Sequence, residues 1–292
     1  MNGTLAVARY TLLELTRRRI LLVFFIIGAI LIALLGIGLK IFYSAIVSGT
    51  TSGPSAPNLT PEQTNRLVEF LFVSQILSVL SIFGILIAFG LGMTAIYHDL
   101  ESGAAVSIFS KPVSRVAFTI GKLLAAVVGL VAIVGVLALE ARLVMYLFGG
   151  GLENALWVEI LATIANTVVL MLIVLALSTW MNNIIAAVVA FIYYNVVAGV
   201  LVFLHTLADQ GAIGNEFARF AINVGYWLVP HNLTSSALHD LAQAQIEISS
   251  GGPRAGASNL PAASGIGDVV WWAFVVLFFA AMVYYSVRRR QV

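Results

Sequence analysis

The stretch "GNEFARFAINVGYWLVP", Gly214 to Pro230, decides whether this chain of 292 residues has six or seven membrane-crossing segments. Phe217, Phe220, Ala221, Val224 and Leu228 recur at helical spacing on one face, while Glu216, Arg219 and Asn223 fall elsewhere. An ion at the centre of a spanning helix costs roughly 2.5–3.5 kcal/mol on insertion scales, and the segment is short. It reads as an amphipathic helix lying at a membrane surface, not as a span.

The question arises because the rest of the chain is lipid-like. It is 61% hydrophobic and 10% charged, against about 25% charged in a soluble domain. Its apolar runs have the length of roughly 20 residues that crosses a bilayer. The expected fold is all-α: a polytopic membrane protein with six transmembrane helices, an N-terminal interfacial helix and outer amphipathic helices before the last span. The spans fall at Ile20–Phe42, Phe70–Tyr97, Phe118–Leu139, Trp157–Met181, Ile184–His205 and Val269–Val287, within one transmembrane domain of residues 1–292. Residues 1–19 form the interfacial helix, 98–117 a loop and 206–268 the large outer segment. Within that segment the residues after Pro230 suggest a short second helix, and 249–267 read as a Gly/Pro-containing linker.

Six spans place both ends of the chain on one side. Arg17, Arg18 and Arg19 precede the first span and Arg288, Arg289 and Arg290 follow the last, so the positive-inside rule makes both termini cytoplasmic. With Arg9, Lys111, Arg115 and Lys122 that side collects ten of the fifteen bases, against three of the thirteen acids, Glu14, Asp99 and Glu101. "TRRRILL" superficially matches a twin-arginine export signal. The apolar run behind it is too long for a cleaved leader, and Lys40 closes it like an anchor.

The net charge of +2 gives no support to a nucleic-acid partner, and the bases sit beside apolar runs as topology signals. Cysteine is absent, which removes disulfides, thiolate metal sites and cysteine nucleophiles.

The loop "HDLESGAAVSIFSKPVSRVAFTIGK", His98 to Lys122, has acids in front, bases behind and a proline between. Gly103 can break the helix arriving from the second span. Ala104 to Phe109 is long enough for about one and a half helical turns, projecting Ile108 and Phe109 into water. Pro112 ends that piece at Lys111, and Ser114 can cap the next helix. Such an apolar-faced helix between charged brackets fits a protein partner that buries it, or a loop whose bases set topology and whose apolar residues dip into headgroups.

"DLESGAAVSIFSKPVSRVAFTIGKLLA" resembles the corresponding loop of type-2 ABC transporter permeases: an acidic, Gly-containing start, a Ser/Lys-Pro-Val-Ser-Arg core and a Gly-Lys at the next span. "ARYTLLELTRRRILLVFFI" resembles the same family's interfacial helix and first-span start. The two regions cover about the first 125 residues, and the six-span layout extends the similarity along the chain. The resemblance implies an exporter permease of a bacterial or archaeal cytoplasmic membrane, working with a second permease subunit, identical or not. It implies a coupling helix at 99–115 that docks on a separate ATP-binding subunit, which supplies ATP and Mg. By position, the docking residues would be Asp99, Glu101, Gly103, Ile108, Phe109, Lys111, Pro112 and Arg115. Ala104 departs from the pattern, since many relatives have threonine there.

This chain has no ATP site of its own, because Val116 stands where a phosphate loop needs its first glycine and Leu123 where it needs Ser or Thr. No catalytic or metal residues are assigned, and no cofactor is expected in this chain. Ser74, Ser78 and Ser81 on one face of the second span, with Gln75 beside them and Asn195 in the fifth, are candidates for a translocation path; interhelical hydrogen bonding is the plainer reading. Gly84, Ala88 and Gly92 suggest close helix packing. Glu140 and Arg142 read as anchors at the end of the third span. His231, His239 and Asp240 lack a metal-ligand spacing. An ion-coupled secondary transporter is the alternative function, and an intramembrane enzyme a more distant one; paired broken helices with buried midmembrane charge would mark the former.

Overall fold

The computed structural model describes residues 3–16, 19–47, 61–97, 114–148, 155–209, 211–234 and 263–289. Among them the ordered elements are helices: α1 (Gly3–Thr16), α2 (Arg19–Val47), α3 (Pro61–Thr94), α4 (Arg115–Phe148), α5 (Ala155–Ser178), α6 (Asn183–Phe191), a π-helical turn (Ile192–Val197), α7 (Ala198–Asp209), α8 (Glu216–Leu228) and α9 (Ile266–Arg289). Six are long and apolar enough to cross a membrane, the fifth being α6, the π turn and α7 together. Helix is the expected solution, since it satisfies its own backbone in hydrocarbon. The chain is an all-α integral membrane protein.

Several boundaries move. The third span, expected at 118–139, is a helix from Arg115 to Phe148, about 51 Å long at 1.5 Å per residue. Glu140 and Arg142 therefore sit inside a helix, because the residues around them are strong helix formers and a charge interrupts hydropathy without interrupting helicity. Arg142 lies over the Trp157 ring, 5.1 Å from its centre. The helix that carries the second span begins at Pro61, where proline suits the first helical position, and its membrane-crossing stretch, Val73–Thr94, falls within the span expected at 70–97. Thr60, whose hydroxyl stands at the capping position before Pro61 in the sequence, lies outside the described residues.

Ser114 caps α4, its Oγ accepting the Ala117 N–H at 3.1 Å. The helix thus starts at the cap that the sequence places at Ser114, and takes in residues 115–117 of the segment 98–117. Arg115 donates to the Arg288 carbonyl at 3.0 Å, joining the start of α4 to the end of α9. We call this end of the bundle the base. At the base α1 docks along α4 through a close approach: a Cβ on Gly121 would lie 2.8 Å from the Thr4 carbonyl oxygen and 2.9 Å from the Val7 side chain. Further along, Gly129 faces Leu12 and Leu15, so α1 runs in the same direction as α4. Lys122, 1% exposed, is covered by this contact and pairs with Glu14 at 3.5 Å.

The centre of the bundle is α3 against α5. Gly84 faces Thr167, and Gly92 faces the Met171 carbonyl and Val174, with Ala88 fully buried between them. The small residues read from the sequence are the packing seam, and because 84 meets 167 while 92 meets 174, the two helices run parallel. That direction is required of the second and fourth spans in a six-span chain.

Helix α8 lies at the opposite, far end. Asn215 caps it, accepting from Phe217 N–H and Ala218 N–H, and its 13 residues reach about 20 Å, too short to cross. Ala218, Ile222 and Gly225 turn toward the bundle, with Gly225 against Leu201, whereas Phe217, Phe220, Val224 and Leu228 are exposed. The helix expected after Pro230 falls on residues outside those described, beyond Thr234.

Candidate functional site

Four elements bring polar side chains together in the half of the bundle nearer α8. On α5, Glu159, Thr163, Asn166 and Thr167 are spaced by four, three and one, which puts them on one helical stripe within an apolar span. Opposite stand Ser74, Ser78 and Ser81 of α3. The π-helical turn contributes Tyr194 and Asn195, and the strap after α8 contributes Asn232, Leu233 and Thr234. Together they line a cavity of about 290 Å³. Of the residues singled out as a translocation path, Ser74, Ser78, Ser81 and Asn195 meet here. Gln75 does not; one residue on from Ser74 it is turned by about 100° and is exposed on the bundle surface.

The strap at 229–234 is fixed by hydrogen bonds to its backbone, most of them from side chains. Asn166 holds Leu233 on both sides, its Nδ2 donating to the Leu233 carbonyl at 3.0 Å and its Oδ1 accepting the Leu233 N–H at 2.9 Å. The Asn166 carbonyl accepts from Tyr194 OH at 3.1 Å. Thr234 and Ser264 close a small ladder, Thr234 N–H to Ser264 Oγ at 2.8 Å and Ser264 N–H to Thr234 O at 2.9 Å. Trp271 Nε1 reaches the Val229 carbonyl at 3.4 Å, and Tyr193 OH the Leu228 carbonyl at 3.1 Å. Within the π turn Asn195 Nδ2 donates back to the Phe191 carbonyl at 3.3 Å.

Across Asn195 lies a second cavity of about 300 Å³ that shares Tyr194, Asn195, Asn232 and Thr234 with the first. Its other wall is Ala198, Gly199, Val202, Phe203 and Thr206 of α7, and His231 edges it. His231 is 6% exposed and meets Asp268 Oδ1 through Nε2 at 3.0 Å. Its ring stacks on Tyr226 with centroids 4.1 Å apart, and Tyr226 stacks in turn on His205 at 4.2 Å. Tyr226 OH donates to Asp268 Oδ1 at 3.2 Å. Burial first, then the Asp268 charge and this hydrogen bond, then the Asp209 charge, push the Tyr226 phenol above its ordinary value. His231 is thus committed to a carboxylate and an aromatic stack; His239 and Asp240 lie outside the described residues.

Of the residues expected to dock on a partner, Asp99, Glu101, Gly103, Ile108, Phe109, Lys111 and Pro112 also lie outside the described residues. Arg115 is exposed at the base, on the first turn of α4. The sequence reading missed Glu159, Thr163, Asn166 and Asn232, although the polar stripe on the fourth span was a signal that could have found the first three.

Comparison with known proteins gives no match, either to a family model or to a curated sequence.

Proposed function

We propose that this chain is the membrane-spanning permease subunit of an ATP-driven transporter of the type-2 exporter class, with both termini in the cytoplasm. It pairs with a second permease subunit and couples to a separate ATP-binding subunit through residues 99–115. The observation that carries the reading is the sequence of that loop, from Asp99 to Arg115, with its Ser-Lys-Pro-Val-Ser-Arg core. The architecture supports it in one respect: the helix that the loop feeds is tied to α1 through Gly121 and the Lys122–Glu14 pair, and to the end of α9 through Arg115. A push delivered at Ser114 is therefore shared by three elements at the base. The third span, at about 51 Å against an apolar core of about 30 Å, carries that push past the membrane surface.

One observation favours an ion-coupled transporter instead. The fifth span changes from α to π winding beside a polar cavity without breaking. Local departures from regular helix at a polar cavity are a weaker form of the discontinuous helices that mark substrate sites in that class. Association separates the two. The cognate ATP-binding subunit should co-purify with the wild-type chain, and Phe109→Asp and Arg115→Glu should abolish co-purification while the protein remains inserted; Ser52→Asp in the loop between the first two spans should have no effect. An ion placed in an apolar contact costs several kcal/mol unless paired, enough to weaken a micromolar association by orders of magnitude. Undiminished association in both loop variants returns 99–115 to a topology-setting loop.

A further inference from the structure

The two cavities differ in chemistry although they share a wall. The first presents the hydroxyls of Ser74, Ser78 and Ser81 and the amides of Asn166 and Asn195; the carboxylate of Glu159, buried and already engaged in an interaction of its own, also lines it, and among the described residues no lysine or arginine does. The second has the hydrocarbon of Ala198, Val202 and Phe203 on one side. Gly199 is exposed and Phe203 is 56% exposed, so this cavity opens on the side of the fifth span that faces out of the bundle. At the edge of the second cavity, His231 Nδ1 is buried and has no hydrogen-bond partner among the described residues, while Nε2 is held by Asp268. A buried imidazole nitrogen without a partner is a hydrogen-bonding group available to a ligand.

We propose that the two cavities are the halves of one binding site for an amphiphile with an uncharged, hydroxyl-bearing head. The head occupies the serine and asparagine cavity. Its apolar part turns past Asn195 and lies against α7, where it reaches the membrane-facing surface. Hydroxyl groups both donate and accept, and so match a wall of hydroxyls and carboxamides. An anionic head finds no lysine or arginine among the described residues that line its cavity, and meets the Glu159 carboxylate there; an unpaired buried charge is the costliest group to desolvate. Each cavity is near the lower size of small-molecule sites, roughly 300 Å³, which suits a monosaccharide-sized head better than an oligomer. The assignment of this amphiphile as transported cargo rests on the permease reading; its binding does not.

The test uses the full-length protein in lipid nanodiscs without ATP, and octyl glucoside carrying a diazirine on its alkyl chain, below its micellar concentration. Photolysis followed by peptide mapping is expected to place the label within 198–206, and unlabelled octyl glucoside to compete for it. Free glucose and octyl phosphate should not compete. Ser78→Ala, which removes one hydroxyl and leaves the fold, should weaken labelling about three- to tenfold, the worth of one hydrogen bond; Asn195→Leu should abolish it. Labelling spread over all the exposed span faces, or equal competition by octyl phosphate, overturns the site. Absence of labelling in a chain that co-purifies with its ATP-binding subunit overturns the site and leaves the permease reading intact. Specific labelling in a chain that associates with no ATP-binding subunit upholds the site and removes the permease reading.

Discussion

Replacing Gly92 by alanine should weaken the bundle at its centre, although alanine is the better helix former. A Cβ there would lie 2.9 Å from the Met171 carbonyl oxygen and 2.8 Å from Val174 Cβ, where ordinary contact begins at 3.4 Å. The obstacle includes backbone, so α3 and α5 must part by about half an ångström along a seam that also buries Ala88 and Leu170. Overpacking of this kind costs about 1–3 kcal/mol, more than the helix propensity gained, which is at most about 1 kcal/mol. Gly135 on α4 has nothing within 4 Å of an added Cβ, so Gly135→Ala should be neutral or stabilising by up to about 1 kcal/mol. Unfolding in mixed micelles with increasing dodecyl sulfate, followed by tryptophan fluorescence, measures both. Equal stability of the two variants would refute the parallel docking of the second span on the fourth.

Three further outcomes follow from the same structure. Single cysteines in this cysteine-free chain should react with an impermeant maleimide from outside at Ser52, Ser235 and Ser258, and only from inside at Ser102 and Gln291; inside reaction at Ser235 with outside reaction at Ser258 would break the six-span order. Tyr226 should still be protonated at about pH 11, so Tyr226→Phe leaves the tyrosinate absorbance gained by that pH unchanged. Because its folded value is raised, its contribution to stability is whole below the ordinary phenol value and is lost as pH climbs through the raised one; a full tyrosinate's worth of absorbance missing at pH 11 in the variant would contradict this. Asn166→Leu removes both hydrogen bonds to Leu233 and should raise the maleimide reactivity of a cysteine at Asn232 severalfold, whereas unchanged reactivity would mean that Asn166 does not hold the strap.

The spans were legible because hydropathy and length decide membrane insertion, and α8 was separated from them by Glu216 and Arg219 together with its short run. The length of the third span was not, since Glu140 and Arg142 lower hydropathy in a stretch whose residues still favour helix. Close packing of α3 could be read from Gly84, Ala88 and Gly92, but its partner could not, as spacing on one helix does not name the facing one. Ser74, Ser78, Ser81 and Asn195 stood out as polar residues in apolar spans. The strap that closes their cavity could not be foreseen, because Asn166 meets Leu233 across 67 residues and His231 meets Asp268 across 37. The π turn leaves no compositional trace in "IYYNVV".

Coupling through residues 99–115 is tested most directly by the reactivity of single cysteines at Ile108 and Phe109 in inside-out membrane vesicles, measured with the ATP-binding subunit present and after it has been stripped. Both positions should be protected from an impermeant maleimide in the assembled complex and become reactive once the subunit is removed, with Ser102 reactive throughout. Equal reactivity in the two preparations, or protection that survives removal of the subunit, would mean that no ATP-binding partner covers this segment, and would contradict the account.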